Sequence, residues 1–311
     1  MILATTAAKP KGKFICIVNG LSGTAGRSAP ATIAAAFAKH GIVPEILQTR
    51  AGETVTHLAA RAAQSDGDVI IAAGGDGTVS AVAGAAAGTS KCFGVIPMGT
   101  LNHFAKDLGI PAGVEDAVDC IVAGHAMMVD VGEVNGRIFI NNSSIGLYPA
   151  MVERRETLRN SGIGKWPALV WATITMFMQL RRVHLQLQPA QGPALERLTP
   201  LLFIGNNTYD TAWPELGTRR RIDQGSLWVM LSTASTRMAL LSSAISIVTG
   251  QEKSSDVVSF EVSRLRVSSR HARIQVAADG EIFEARTPVT YRILPKSLRV
   301  LVPARPAAEV P

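Results

Sequence analysis

Short apolar runs alternate with amphipathic or small-residue stretches through the first third of the chain. Phe14 to Val18, Val43 to Thr49, Val69 to Ala73 and Cys92 to Pro97 read as four strands. Phe14 to Val18 and Val69 to Ala73 carry no polar alternation, so both are expected to be buried on two faces. Helices are expected between them, over about residues 29–40 with Gly41 as C-terminal cap, and over Glu53 to Gln64 with Val55, Leu58, Ala59 and Ala62 on one face. A small-residue helix opens at Thr78, and another runs from about Val114 to Ala123. This βαβαβαβ alternation predicts a doubly wound, mainly parallel sheet with helices on its faces.

The pattern changes after Ala126. Two apolar runs flank Asn135-Gly136, which is a hairpin signal. Short strands follow over Val183 to Leu187, Pro200 to Asn206, Ser226 to Leu231, Val257 to Val267 and Arg273 to Ala278, and predict an antiparallel β-sandwich. Helices are expected over Ala168 to Leu180, which is unusually apolar, and about Thr236 to Thr249. A last strand pair, Val289 to Ile293 and Leu298 to Val302, is expected to return to the first domain. The expected domains are therefore 1–133 together with 295–311, α/β and nucleotide-binding, and 134–294, a β-sandwich that takes the substrate. Residues 1–12 read as a loose leader and the Pro/Ala tail as disordered.

Composition narrows the function classes. At 311 residues, 47% apolar and 18% charged, the chain reads as a two-domain globular protein. No run approaches the roughly 18–20 apolar residues of a membrane span, and no signal peptide is apparent. Cys16, Cys92 and Cys120 sit in apolar surroundings without metal spacing, as reduced core residues of a cytoplasmic protein would. The formal charge of +7 favours an anionic partner. The clusters Arg154-Arg155, Arg181-Arg182 and Arg219-Arg220-Arg221 lack aromatic interleaving, so nucleic acid is not expected, and they read as solvated loops.

The chemistry gathers at the carboxyl ends of the predicted parallel strands, where such sheets bind ligands. Gly74-Gly75-Asp76-Gly77-Thr78 joins a strand to a helix start, with glycines that allow close backbone approach and helix amides that lack internal partners. Asp76 could hold a metal or its waters there; a tight turn with a solvated Asp76 is the plainer reading. It is neither a Walker loop nor a dinucleotide fingerprint. Asn19 to Gly26, Thr49 and Met98 to Asn102 fall at the same edge.

Gly-Gly-Asp-Gly-Thr after a buried strand resembles the nucleotide site of the diacylglycerol kinase catalytic domain family, and similar motifs occur in sphingosine kinases, NAD kinases and 6-phosphofructokinases. The stretch Pro97-Met98-Gly99-Thr100-Leu101-Asn102-His103-Phe104-Ala105, followed by Leu108-Gly109-Ile110-Pro111, resembles the lipid-kinase members specifically. The resemblance implies a phosphofructokinase/NAD-kinase-like first domain. ATP would be bound by Asn19, Ser22, Gly23, Thr49, Gly74, Gly75, Asp76, Gly77, Thr78, Gly99, Thr100 and Asn102, with Mg²⁺ near Asp76 and Asp130. His103 stands where many members carry an aspartate of the magnesium network, and Gln224 where they carry an acidic magnesium ligand.

Asp279-Gly280-Glu281 reads locally as an ordinary hairpin turn, whereas the family assigns the general base to this acidic pair. Glu281 is the first choice for base and Asp279 the positioning partner, with the reverse order open; Asp76 completes the catalytic set. The resemblance thus implies an ATP-dependent lipid kinase, cytoplasmic and peripheral to the inner face of a membrane, with its site in the cleft between the domains. A kinase of a soluble polyol or nucleotide, and a non-catalytic lipid or nucleotide sensor, are the alternatives.

Overall fold

A computed structural model describes residues 6–7, 12–20, 23–50, 52–146, 182–210, 217–219, 221–232 and 257–304. The helices expected over 168–180 and 236–249, and Ser22, lie outside the described residues. The chain divides into two compact units, Met1–Val131 with Pro295–Pro311, and Gly132–Leu294.

In the first unit β1 (Thr6–Ala7), β2 (Phe14–Val18), α1 (Gly23–Ala38), β3 (Glu45–Gln48), α2 (Val55–Gln64), β4 (Val69–Gly74), α3 (Asp76–Ala86), β5 (Cys92–Pro97), α4 (His103–Asp107) and α5 (Val114–Ala123) lead into β6 (His125–Val134). The parallel ladder runs β3-β2-β4-β5. Every residue of β2 and β4 is buried, as an unbroken apolar run requires when both faces are covered. Phe14, Cys16, Val18, Val69, Ile71 and Ala73 pack with Ile33 and Phe37 of α1 and Val118 and Ile121 of α5. On the opposite face, Leu58, Ala59 and Ala62 of α2 and Val79, Val82 and Ala83 of α3 are buried. The sheet is doubly wound. Each large side chain fully buried here contributes on the order of 1.5–3 kcal/mol.

The second unit holds β7 (Arg137–Phe139), β8 (Asn142–Gly146), β9 (Val183–Pro189), β10 (Leu195–Thr199), β11 (Leu201–Asn206), β12 (Leu227–Ser232), β13 (Val257–Val262), β14 (Arg264–Ser269), β15 (Arg273–Ala278) and β16 (Glu281–Arg286), and β17 (Val289–Leu301) begins in it. One antiparallel sheet runs β13-β12-β11-β8-β15-β16, and a second layer runs β10-β9-β14-β17. Ile145, Leu202, Ile204, Val229 and Val276 of the first layer meet Leu185, Leu187, Leu265, Val267 and Tyr291 of the second in one core, which makes the unit a β-sandwich. At the Asn135-Gly136 turn both residues have positive φ, 47° and 85°, as a two-residue hairpin of this type demands.

Four expectations change. Helix α1 starts at Gly23, ahead of the expected start near residue 29, and runs through Pro30. Val257 to Val267 is two strands that break at Ser263 and enter different layers. Thr6–Ala7, within the expected leader, pairs with His125 and Ala126. The last strand pair is one strand, β17, in which Lys296 takes a left-handed conformation (φ 50°) and Arg299 and Val300 pair in parallel with Cys92 and Phe93. Among the described residues, no helix is long and apolar enough to cross a membrane.

The core position of Cys16 generates a signed pH prediction. Burial pushes its thiol up to about 12, against an unperturbed value of 9.0. A group whose folded value is raised leaves stability intact below the unfolded value and erodes it as pH climbs toward the folded one. Between about pH 9 and 12 the protein should lose about 1.4 kcal/mol per pH unit through this group. Urea midpoints of wild type and Cys16→Ala, compared at pH 8 and pH 10.5, should diverge with the wild type falling further.

Candidate active site

Helix α3 begins at Asp76, and its N-cap, Gly75, makes no side-chain hydrogen bond to the first turn. Those first amides are therefore left without a side-chain cap, at a helix end that favours anions. Asp76 lies in this first turn, and its carboxylate reaches a second helix start. Oδ2 accepts the Asn102 N–H at 3.0 Å and Oδ1 accepts the His103 N–H at 2.8 Å. Helix α4 has only five residues, so this carboxylate supplies the cap that its own N-cap, Asn102, does not give.

Asn102 instead closes its own turn. It is left-handed (φ 50°), its Oδ1 accepts the Gly99 N–H at 3.0 Å, and its Nδ2 donates to the Gly99 carbonyl at 2.9 Å. The two turns touch through glycine. A Cβ on Gly99 would stand 2.6 Å from the Gly75 Cα and 2.7 Å from Asn102 Oδ1. The close approach that sequence reasoning reserved for a ligand is thus first an approach of backbone to backbone. Gly74 to Thr78 and Gly99 to Asn102 form one assembly, with Gly77 and Thr100 exposed and Thr78 buried.

Two strands away, the Thr49 hydroxyl accepts the Gly20 N–H at 3.0 Å and donates to Asn19 Oδ1 at 3.3 Å. Thr49 is buried at the carboxyl end of β3, and Asn19 and Gly20 follow β2. All these turns leave the same end of a parallel sheet, where α/β folds bind ligands. Gly23 opens α1 directly after. Asp130 is fully buried in β6, and its carboxylate accepts the Lys296 N–H at 2.8 Å, which holds the left-handed residue of β17.

In the second unit, Asp279 and Gly280 both have positive φ, 46° and 85°, and turn β15 into β16. The Asp279 carboxylate accepts three backbone N–H groups, from Ile140 at 2.7 Å, Asn141 at 2.8 Å and Asn142 at 3.1 Å. Glu281 has a different environment. Its side chain is 58% exposed, and Oε2 accepts a hydrogen bond from Arg137 at 2.9 Å. The Arg137 guanidinium also lies 4.7 Å over the Phe283 ring. One carboxylate is committed to backbone, while the other is open to solvent and steadied by one cation.

Sequence reasoning missed the groups behind this turn. Arg219, read as part of a solvated run, is 3% exposed, and Asn206 is fully buried. Asn206 Nδ2 donates to the Ile140 carbonyl at 2.9 Å, and the Tyr209 hydroxyl donates to the Asn141 carbonyl at 3.0 Å. The Asn206-Asn207 pair at the end of an apolar strand was the available signal; nothing local marks Arg219 within its run.

At the position expected to carry an acidic magnesium ligand, Gln224 Oε1 accepts the Thr208 N–H at 3.1 Å and the Gln224 N–H donates to Asn207 Oδ1 at 2.9 Å. Asp223 accepts from Arg221 at 3.1 Å. The Gln224 bonds tie the two loops together and commit its amide oxygen to backbone. In the first unit Asp76 fits a bound cation. It is partly exposed, and each oxygen has a lone pair beyond its amide bond. Among the described residues no three His, Cys, Asp or Glu side chains converge, so a metal there would depend on substrate phosphates, as magnesium commonly does.

Comparison with known proteins agrees with this architecture. The family described as the diacylglycerol kinase catalytic domain matches residues 13–134. The YegS C-terminal NAD kinase beta sandwich-like domain matches residues 164–302. Proteins named diacylglycerol kinase from Staphylococcus aureus strains JH9 and Newman are 28% identical over 249 residues, 79% of this chain and 78% of theirs. A crystal structure of a diacylglycerol kinase from Bacillus anthracis superposes with a TM-score of 0.68 at 20% identity, covering 94% of this chain and 98% of that one. A further structure from that organism gives a TM-score of 0.74 at 22% identity with the same coverage. At these identities the solved structures establish the fold.

The glycine contact makes its own prediction. Gly99→Ala must push the two turns apart, and a forced shift of packed backbone costs about 1–3 kcal/mol. Thermal melting should show the loss, and Gly77→Ala, where nothing lies within 4 Å of the added carbon, should melt close to wild type.

Proposed function

Because the chain belongs to the diacylglycerol kinase catalytic domain family, a family of lipid kinases, we propose that it transfers the γ-phosphate of ATP to a lipid hydroxyl of the diacylglycerol type. The observation that carries this reading is the division of labour at the acidic turn. Asp279 spends its carboxylate on three amides, which leaves Glu281 as the exposed carboxylate that can accept a proton.

In this reading the nucleotide phosphates lie on the turns at Gly74 to Thr78 and Gly99 to Asn102. The first-turn amides of α3 offer donors without paying for reorganisation. Asn19, Thr49 and Gly23 border the same sheet end. Asp76 fixes the relative position of the two turns and would hold magnesium through its remaining lone pairs. Magnesium, when bound, offsets the charge that develops on the transferring phosphoryl group. Asp130 holds the left-handed Lys296 within β17.

Glu281 takes the proton of the acceptor hydroxyl as its oxygen attacks the γ-phosphorus, and ADP leaves. Arg137 orients the Glu281 carboxylate through its hydrogen bond to Oε2. Asp279 holds the turn that aims Glu281. An acceptor with acyl chains resides in a membrane, so the enzyme works as a cytoplasmic protein at a membrane surface, in phospholipid metabolism. The net charge of +7 supports attraction to anionic lipid.

The test is transfer of labelled phosphate from γ-labelled ATP to a total lipid extract in mixed micelles, wild type beside Glu281→Gln. A labelled lipid should form, and Glu281→Gln should lower turnover by about 10²–10⁴, the usual weight of a general base. Absence of labelled lipid with ATP binding intact would refute the reading.

A further inference from the structure

We propose that Arg219 is a positioning residue for the acidic turn, acting on Asp279 through a single peptide group. The peptide joining Ile140 to Asn141 lies between the two side chains. Arg219 Nη1 donates to its oxygen, the Ile140 carbonyl, at 2.6 Å. Its N–H, that of Asn141, donates to Asp279 Oδ1 at 2.8 Å. In a trans peptide the C=O and N–H point in opposite directions, so cation and anion occupy opposite sides of one peptide plane. Each polarises the peptide in the sense that strengthens the other bond.

The neighbouring contacts keep this arrangement in register. Arg219 Nη2 donates to Asn141 Oδ1 at 2.9 Å, and Nη1 also reaches the Asn206 carbonyl at 3.1 Å. The guanidinium stands 5.3 Å over the Tyr209 ring, and Tyr209 in turn holds the Asn141 carbonyl. The flanking amides of Ile140 and Asn142 go to Asp279 as well. At 3% exposure, Arg219 escapes the solvent screening that makes surface pairs weak. Lysine cannot reproduce the geometry, because a planar fork donates here to two acceptors on one segment. Loss of the guanidinium would loosen the 140–142 segment, release the amides that hold Asp279, and blur the aim of Glu281 two residues on.

The inference rests on the lipid-kinase reading for its catalytic consequence, but its structural half can be read without turnover. Full-length Arg219→Gln, Arg219→Lys, Asp279→Asn and the Arg219→Gln/Asp279→Asn double variant are compared with wild type. Amide hydrogen exchange at Asn141 should accelerate by about tenfold or more in Arg219→Gln, while the β2 and β4 amides of the other unit keep their protection. In the micelle assay kcat should fall about ten- to hundredfold, the scale of a small misplacement of a catalytic group. The KM for ATP should stay within about twofold, and Arg219→Lys should recover part of the loss. The double variant should be no slower than the more damaged single one, since both break one unit. Wild-type exchange at Asn141 in folded Arg219→Gln, or losses that multiply in the double variant, would overturn the proposal. If Arg219→Gln does not fold, Arg219→Lys decides: wild-type exchange and wild-type kcat there also overturn it. A wild type that labels no lipid refutes the kinase reading alone, and the exchange result still judges the Arg219–Asp279 coupling.

Discussion

The Asp76 carboxylate bonds to two backbone N–H groups at the start of α4, and the first unit's candidate site depends on those bonds. A five-residue helix cannot stabilise itself, since nucleation costs more than so few hydrogen bonds return. Its leading amides have no partners within the helix. One charge serves two helix starts: it sits in the first turn of α3, where the dipole favours an anion, and caps α4. Bonds from a carboxylate to amides are roughly twice as strong as neutral ones. They act here between backbones already in contact at Gly75 and Gly99, where a side chain would intrude. The result is a rigid pair of turns whose α3 amides carry no side-chain cap.

The second unit uses the same chemistry at another place. Asp279 takes three amides of the 140–142 segment, and Arg219, Asn206 and Tyr209 take its carbonyls. Residues 140–141 are neither helix nor strand, yet their amides and carbonyls are held by these side chains and by the Asn206 N–H, so the segment leads into β8 as a fixed element. Glu281 follows directly on this anchored turn and keeps its own carboxylate exposed. In both units a half-buried carboxylate binds backbone N–H groups beside residues that stay exposed, Gly77 and Thr100 in the first and Glu281 in the second.

How far the sequence revealed this depends on whether the signal was local. The strands β2 and β4 were legible because an unbroken apolar run has few other solutions, and the turns at Asn135 and Asp279 because Asx-Gly specifies positive φ twice. The parallel order followed from alternation with helices. The helix expected from about residue 29 begins at Gly23 instead, and α1 passes through Pro30. Pro295-Lys296 looked like a turn between strands, but Asp130, 166 residues away from Lys296 in sequence, accepts its N–H and keeps β17 continuous. Arg219 was illegible for the same reason: its acceptors lie 13 to 79 residues away, and a run of arginines looks solvated. Asp76 was placed correctly at the turn, but its bond to residues 26 and 27 positions later could not be read from the motif.

The claim that Asp76 acts first as a clamp between turns separates it from a pure metal ligand. The direct measurement is calorimetric binding of ATP to wild type and Asp76→Asn, each with magnesium and with EDTA. A clamp predicts that the variant binds ATP more weakly than wild type in both conditions, by about tenfold or more for a lost charged hydrogen-bond pair. Equal affinities of the two proteins in EDTA, with a difference only in magnesium, would contradict the account.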